Sequence, residues 1–348
     1  MSCQLHNIIK ASRPAIIAGP CAAESREQVL QTAEALKDIP SLLAFRAGLW
    51  KPRTKPGDFE GVGEQGLEWL KEVKEKTGIR LAVEIATARH AELCIEAGVD
   101  IVWIGARTVV SPFVVDEIAN ALKGNDVCIM VKNPVNPDIS LWAGGLERLM
   151  KKGLKNLAAV HRGFDVYFSK PYRNLPLWEI PLELKLQYPD IPFLCDPSHI
   201  GGQREYLSAI SQKALDLGMD GLMIETHIHP ETALTDISQQ VSPRELKEML
   251  GNLIIRENQA ESDSTLEKYR TTIDELDEQL LEILARRMNI SEQIGILKKE
   301  QNLAPFQADR WQALLDDRNK KGEKLKLNSD FIKKVFEAIH MESIKRQE

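Results

Sequence analysis

The sequence predicts an α/β fold, a (β/α)8 TIM barrel, followed by a small all-helical domain. Three observations predict it. Eight short apolar runs recur at roughly 30-residue spacing across the first 255 residues. Polar or Gly-containing turns and helix-patterned stretches separate them. Beyond residue 265 the runs stop and only helical periodicity remains.

The runs are 15–18, 42–45, 81–85, 101–104, 127–131, 157–160, 191–195 and 221–224. Most lack in/out alternation, which is how parallel strands buried on both faces read. Amphipathic helices are predicted between them at 26–37, 63–76, 111–123 and 203–217. Ser25 with Gln28 three residues on offers a capping box for the first helix. Eight βα units in about 250 residues fit a closed barrel. A doubly wound open sheet is the alternative, but near-equal units without G-x-G-x-x-G favour closure.

A barrel over 1–256, a linker over 257–263 and a helical domain over 264–348 are therefore expected. The string RENQAESDST at 256–265 is almost wholly polar, as a linker is. Leu266, Ile273, Leu276, Leu280, Leu284, Ile290, Ile294 and Leu297 then recur largely at spacings of three and four. Ser264 with Glu267 offers a second capping box. A helix over 264–302 would be ~58 Å long, too long for so small a domain without a partner chain. Shorter helices are predicted at about 309–320 and 330–346, separated by the loop KKGEKLKLNS.

The net charge is −6. The tail balances 16 Lys/Arg against 16 Asp/Glu, so the whole excess lies in the barrel segment. An acidic chain has no overall field for nucleic acid, and anion binding would need locally gathered cations. No run approaches the ~18 apolar residues of a membrane span. The start, MSCQLHNIIKASRP, lacks a signal peptide's apolar core. Five widely spaced cysteines without C-x-x-C argue against a disulfide framework and suit a reducing cytoplasm.

Barrel sites gather at the C-terminal ends of the strands. There the sequence places Arg46, Lys51, Arg53, Arg107, Lys132 and Arg162. A lone Arg after a strand is usually a surface ion pair. Six cations on one rim are destabilising unless anions bind among them, which points to a substrate with several phosphate or carboxylate groups. Cys21, His199, Glu225 and Asp236 form a second constellation. Mixed S, N and O ligands suit Mn, Fe, Co or Zn. Each also has an ordinary reading, as core thiol, helix cap or rim carboxylate, and no local spacing decides between them.

These strings resemble the 3-deoxy-D-arabino-heptulosonate 7-phosphate (DAHP) synthase family of the shikimate pathway. GPC at 19–21, FRAGLWKPRT at 45–54, GAR at 105–107, VKNP at 131–134, HRG at 161–163, DPSH at 196–199 and LTD at 234–236 carry the likeness over residues 13–255. Little precedes the first strand, so no regulatory domain is expected ahead of it. The resemblance implies metal-dependent condensation of phosphoenolpyruvate with erythrose 4-phosphate. It implies that Cys21, His199, Glu225 and Asp236 hold one divalent ion per barrel. Arg46, Lys51, Ala106, Arg107, Lys132 and Arg162 would bind phosphoenolpyruvate. Pro52, Arg53, Thr54 and Asp196 would bind erythrose 4-phosphate, with Lys51 as a catalytic group between the substrates. Glu84 is expected in the same basin. The related octulosonate 8-phosphate synthases are set aside on KPRT, and His227 and His229 are expected beside the ion rather than on it.

Arg270, Arg287 and Lys298 lie on the apolar stripe of the long helix, where they must snorkel, pair or bind a ligand. The string LEKYRTTIDELDEQLLEILARRMNISEQIGILKKE resembles the all-helical chorismate mutases. That likeness implies a chorismate or prephenate site of Arg270, Arg287, Lys298, Gln307, Arg310, Ser343 and Gln347, with Arg287 and Lys298 catalytic. Gln307 stands where many members carry Asp. It also implies a homodimer through the tail, with Arg270 completing the partner's site. A higher oligomer is left open. The competing reading makes the tail a chorismate-sensing and dimerisation module that regulates the barrel.

Overall fold

In a computed structural model of the chain, the described residues are 9, 13–51, 57–167, 171–256, 264–304 and 306–347. They form two compact units, Met1–Asn258 and Gln259–Glu348. The expected linker, 257–263, lies outside the described residues.

The first unit is a closed parallel barrel of eight strands in sequence order. They are β1 (Ala15–Gly19), β2 (Leu42–Ala47), β3 (Leu81–Ile85) and β4 (Ile101–Ile104). β5 (Cys128–Lys132), β6 (Leu157–His161), β7 (Phe193–Cys195) and β8 (Gly221–Glu225) complete it. All eight apolar runs are thus strands. They read as continuous because both faces are covered. Ile17, Ala44, Trp103, Met130, Val160 and Met223 fill the interior. Ile16, Phe45, Val83, Ile104, Val131 and Leu222 pack outward under the helices.

The four predicted helices appear at Arg26–Leu36, Gln65–Thr77, Pro112–Leu122 and Arg204–Asp216. The first capping box is half formed. Ser25 Oγ accepts the Gln28 N–H, but the Gln28 side chain takes the N–H of Glu24 instead. A full capping box not foreseen, Ser242 with Glu245, opens the helix Pro243–Gly251. The Ser264 side chain falls outside the described atoms. Cys21, Cys94 and Cys195 are free and buried.

The described residues of the second unit form three helices, Ser264–Glu300, Ala308–Lys324 and Ser329–Gln347. The loop between the last two is shorter than expected, because the middle helix runs on to Lys324. No helix of the described residues is long and apolar enough to cross a membrane.

Candidate active sites

At the C-terminal ends of the strands the barrel opens into a cavity of about 510 Å³. Lys51, Arg107, Lys132 and Arg162 line it, together with Ala106, Glu84, His199 and Asp236. The strand-end residues Lys51, Arg107, Lys132 and Arg162 thus share one cavity wall. Pro52, Arg53 and Thr54 lie outside the described residues. In the turn after β4, a Cβ at Gly105 would stand 2.1 Å from Glu84 Oε1, so a larger residue there would displace the Glu84 side chain.

Below the cavity the charges are organised by burial. Arg46 is 1% exposed, and its Nη2 lies 3.3 Å from Glu225 Oε1 and donates to the Cys21 carbonyl at 3.3 Å. Trp103 from β4 lies under this guanidinium, 5.0 Å from ring centre to Cζ. Lys132 Nζ donates to Asp196 Oδ2 at 2.6 Å. Asp196 is wholly buried and does not line the cavity. It caps the short helix Pro197–Gly201 by accepting the His199 N–H, and its Oδ2 stands 2.8 Å from His199 Nδ1. Burial opposes its ionisation, yet His199 and Lys132 hold its carboxyl well below the usual range. It is held beneath the cavity by its contacts with Lys132 and His199.

Cys21, Glu225 and Asp236 bring a sulfur and two carboxylate oxygens within 4.8 Å of one another. Cys21 Sγ is 3.2 Å from Asp236 Oδ2, and Lys51 Nζ donates to that sulfur at 3.0 Å. His199 Nε2 stands 3.8 Å from Glu225 Oε1, at the edge of the group. Glu225 Oε1 is buried and makes no hydrogen bond, only ion-pair contacts. Burial, with Glu225 adding to it, pushes the Cys21 thiol up to about 12. Asp236 adopts a left-handed φ of 49°, a conformation Asp tolerates. An oxygen without a donor beside a thiol and an imidazole makes a donor set that fits a borderline divalent cation.

His227 and His229 lie outside this group. His227 is buried with Nε2 3.5 Å from Glu24 Oε2, and its Nδ1 accepts the His229 N–H. His229 is mostly exposed beside Glu231. Arg173, Asn174, Gln239 and Gln240 were missed. Asn174 orients Arg162 by accepting from Nη1 at 2.9 Å, and Gln240 accepts the Cys21 N–H at 2.9 Å. Their partners are 12 and 219 residues away, so no local pattern marks them.

In the helical unit four of the expected site residues meet in two pairs. Arg287 Nη1 donates to Ser343 Oγ, and Lys298 Nζ donates to Gln347 Oε1 at 3.0 Å. Gly295 permits this crossing, since a Cβ there would lie 2.7 Å from Gln347 Cα. Burial and the neighbouring Arg318 lower the Arg287 pKa. Arg270 instead pairs with Glu267 at an exposed position, 2.6 Å away. Gln307 and Arg310 are exposed at the start of the middle helix. His340, not foreseen, stacks on Trp311 with ring centres 4.0 Å apart.

The family model described as DAHP synthetase I family matches residues 6–260, and that described as chorismate mutase type II matches 269–348. Phospho-2-dehydro-3-deoxyheptonate aldolase of Thermotoga maritima is 30% identical, over 68% of this chain and 67% of that protein. A 2-dehydro-3-deoxyphosphooctonate aldolase of Geotalea uraniireducens is also 30% identical, over 70% of this chain and 93% of that one. The crystal structure of the Thermotoga maritima DAHP synthase has a TM-score of 0.63 at 29% identity, covering 69% of this chain and 68% of that one. A truncated form of the Thermotoga maritima synthase gives 0.60 at 27%, covering 69% and 85%.

Proposed function

The chain belongs to the DAHP synthetase I family and carries a chorismate mutase type II domain; from this premise we propose that the barrel condenses phosphoenolpyruvate with erythrose 4-phosphate, dependent on a divalent ion, and that the tail rearranges chorismate to prephenate. The observation that carries the barrel reading is one cavity whose wall is Lys51, Arg107, Lys132 and Arg162, beside the buried Cys21, Glu225 and Asp236.

Arg107, Lys132 and Arg162 bind the phosphate and carboxylate of phosphoenolpyruvate, with the N–H groups near Ala106. Guanidinium forks match both groups, and their fixed positions stabilise charge that shifts as the carbon–carbon bond forms and phosphate leaves. Arg46 acts from beneath, held against Trp103 and Glu225. Lys51 stands between the substrates, and Arg53 and Thr54 take the sugar phosphate. Cys21, His199, Glu225 and Asp236 would hold an ion of the Mn, Fe, Co or Zn type. When bound it supplies a Lewis acid for the aldehyde oxygen.

Purified protein is expected to release phosphate from phosphoenolpyruvate with erythrose 4-phosphate, to stop with a chelator, and to resume with Mn(II). Release with arabinose 5-phosphate alone, or full turnover in metal-free protein, would overturn the reading. In parallel, chorismate loss is followed in the same preparation.

The tail reading rests on the Arg287–Ser343 and Lys298–Gln347 pairs. A pericyclic rearrangement needs a compact bound conformer and charge stabilisation, which such a cage supplies without metal or nucleophile. The tail also forms a homodimer. Support comes from Ile273, Leu276, Leu280, Ile283 and Ile290, each more than half exposed on a 37-residue helix about 55 Å long. Leu280→Asp, which would desolvate a charge in that interface, is expected to weaken dimerisation about 100-fold or more. Sedimentation velocity at micromolar protein decides it, and an unaltered dimer would place the interface elsewhere.

A further inference from the structure

Arg173 and Gln239 carry no role in the chemistry above, yet they touch both carboxylates of the Cys21 group. Gln239 lies in the loop after β8 and is 1% exposed. Its Nε2 donates to Glu225 Oε2 at 2.6 Å, and its Oε1 accepts from Arg173 Nη1 at 2.7 Å. The same Arg173 nitrogen donates to Asp236 Oδ1 at 2.9 Å. The partners fix which way the Gln239 amide points. A guanidinium only donates and an ionised carboxylate only accepts, so the oxygen must face Arg173 and the nitrogen Glu225.

One oxygen of each carboxylate is thereby occupied. The two left over are Glu225 Oε1, which makes no hydrogen bond, and Asp236 Oδ2, which faces Cys21 Sγ at 3.2 Å. We propose that Gln239 and Arg173 are positioning residues that make Glu225 and Asp236 single-oxygen ligands of the divalent ion. The assignment rests on the metal reading given above. It requires glutamine at 239, since glutamate would set two carboxylates 2.6 Å apart and alter the charge of the site.

Metal-free full-length protein is titrated with Mn(II), and the free ion is read by electron paramagnetic resonance. Wild type should bind one ion per barrel. Gln239→Met and Arg173→Met should each bind about 10–100-fold more weakly, the usual effect of removing a group that orients a ligand. Arg173 is half-exposed, so its variant is expected to fold even where Gln239→Met does not. With Co(II), the ligand-field bands of each folded variant should shift, because freed carboxylates become able to chelate with both oxygens. A purely structural role would lower thermal stability but leave affinity and spectrum alone, and that result in Arg173→Met overturns the proposal. Wild type that binds no Mn(II) or Co(II) would instead remove the metal reading itself.

Discussion

Cys21→Ser is expected to lower phosphate release from phosphoenolpyruvate and erythrose 4-phosphate by about 10³-fold or more, equivalent to about 4 kcal/mol of lost transition-state stabilisation. The sulfur is buried between Asp236 Oδ2 and Lys51 Nζ. Burial and Glu225 hold the thiol up at about 12, so at neutral pH it is protonated unless further positive charge arrives. A divalent ion held by Cys21 would supply that charge and displace the proton, whereas a serine hydroxyl would be a harder, weaker ligand. A corollary follows for pH. Each ion bound would release the thiol proton, so Mn(II) affinity should rise as pH rises, approaching tenfold per unit below the thiol pKa. Metal content, affinity against pH and phosphate release together test the claim, with circular dichroism confirming the fold. A Cys21→Ser enzyme with wild-type turnover, or wild-type affinity independent of pH, would take the sulfur out of the site.

The strands were legible because burial on both faces leaves a continuous apolar run, and because barrel sites form where such runs end. That logic picked Arg46, Lys51, Arg107, Lys132 and Arg162 as single residues at or near strand ends, and all but the buried Arg46 line one cavity. It misjudged depth. Asp196 follows β7 as a rim residue would, but its pairing with Lys132 and His199 draws it beneath the cavity. It was blind to groups whose meaning lies in a distant partner. Gln239 reaches 14 residues back to Glu225, and Arg173 reaches 63 residues forward to Asp236. Neither sits on a strand end or an amphipathic stripe. In the tail, helical spacing assigned Arg287 and Lys298 to one face of a helix. Spacing alone does not reveal which helix that face meets, and here it is the last one, through Ser343 and Gln347.

Arg287→Ala is expected to cut chorismate turnover by about 10²–10³-fold, the usual loss when one fixed donor to developing charge is removed. Arg287 is half-buried and donates to Ser343 of the last helix. Alanine removes both its charge and the partner of a buried hydroxyl, so Ser343→Ala is needed as a control for packing. Ser343→Ala leaves the cation in place and should cost far less. The same variant separates the two readings of the tail. A catalytic tail that also senses its product loses chorismate turnover and prephenate inhibition of the barrel together. A tail that only senses has no turnover to lose, and Arg287→Ala would abolish inhibition alone. Because the barrel's own wall is untouched by the substitution, its uninhibited phosphate release should stay at the wild-type rate. A fall there would mean that the two units depend on each other for more than regulation.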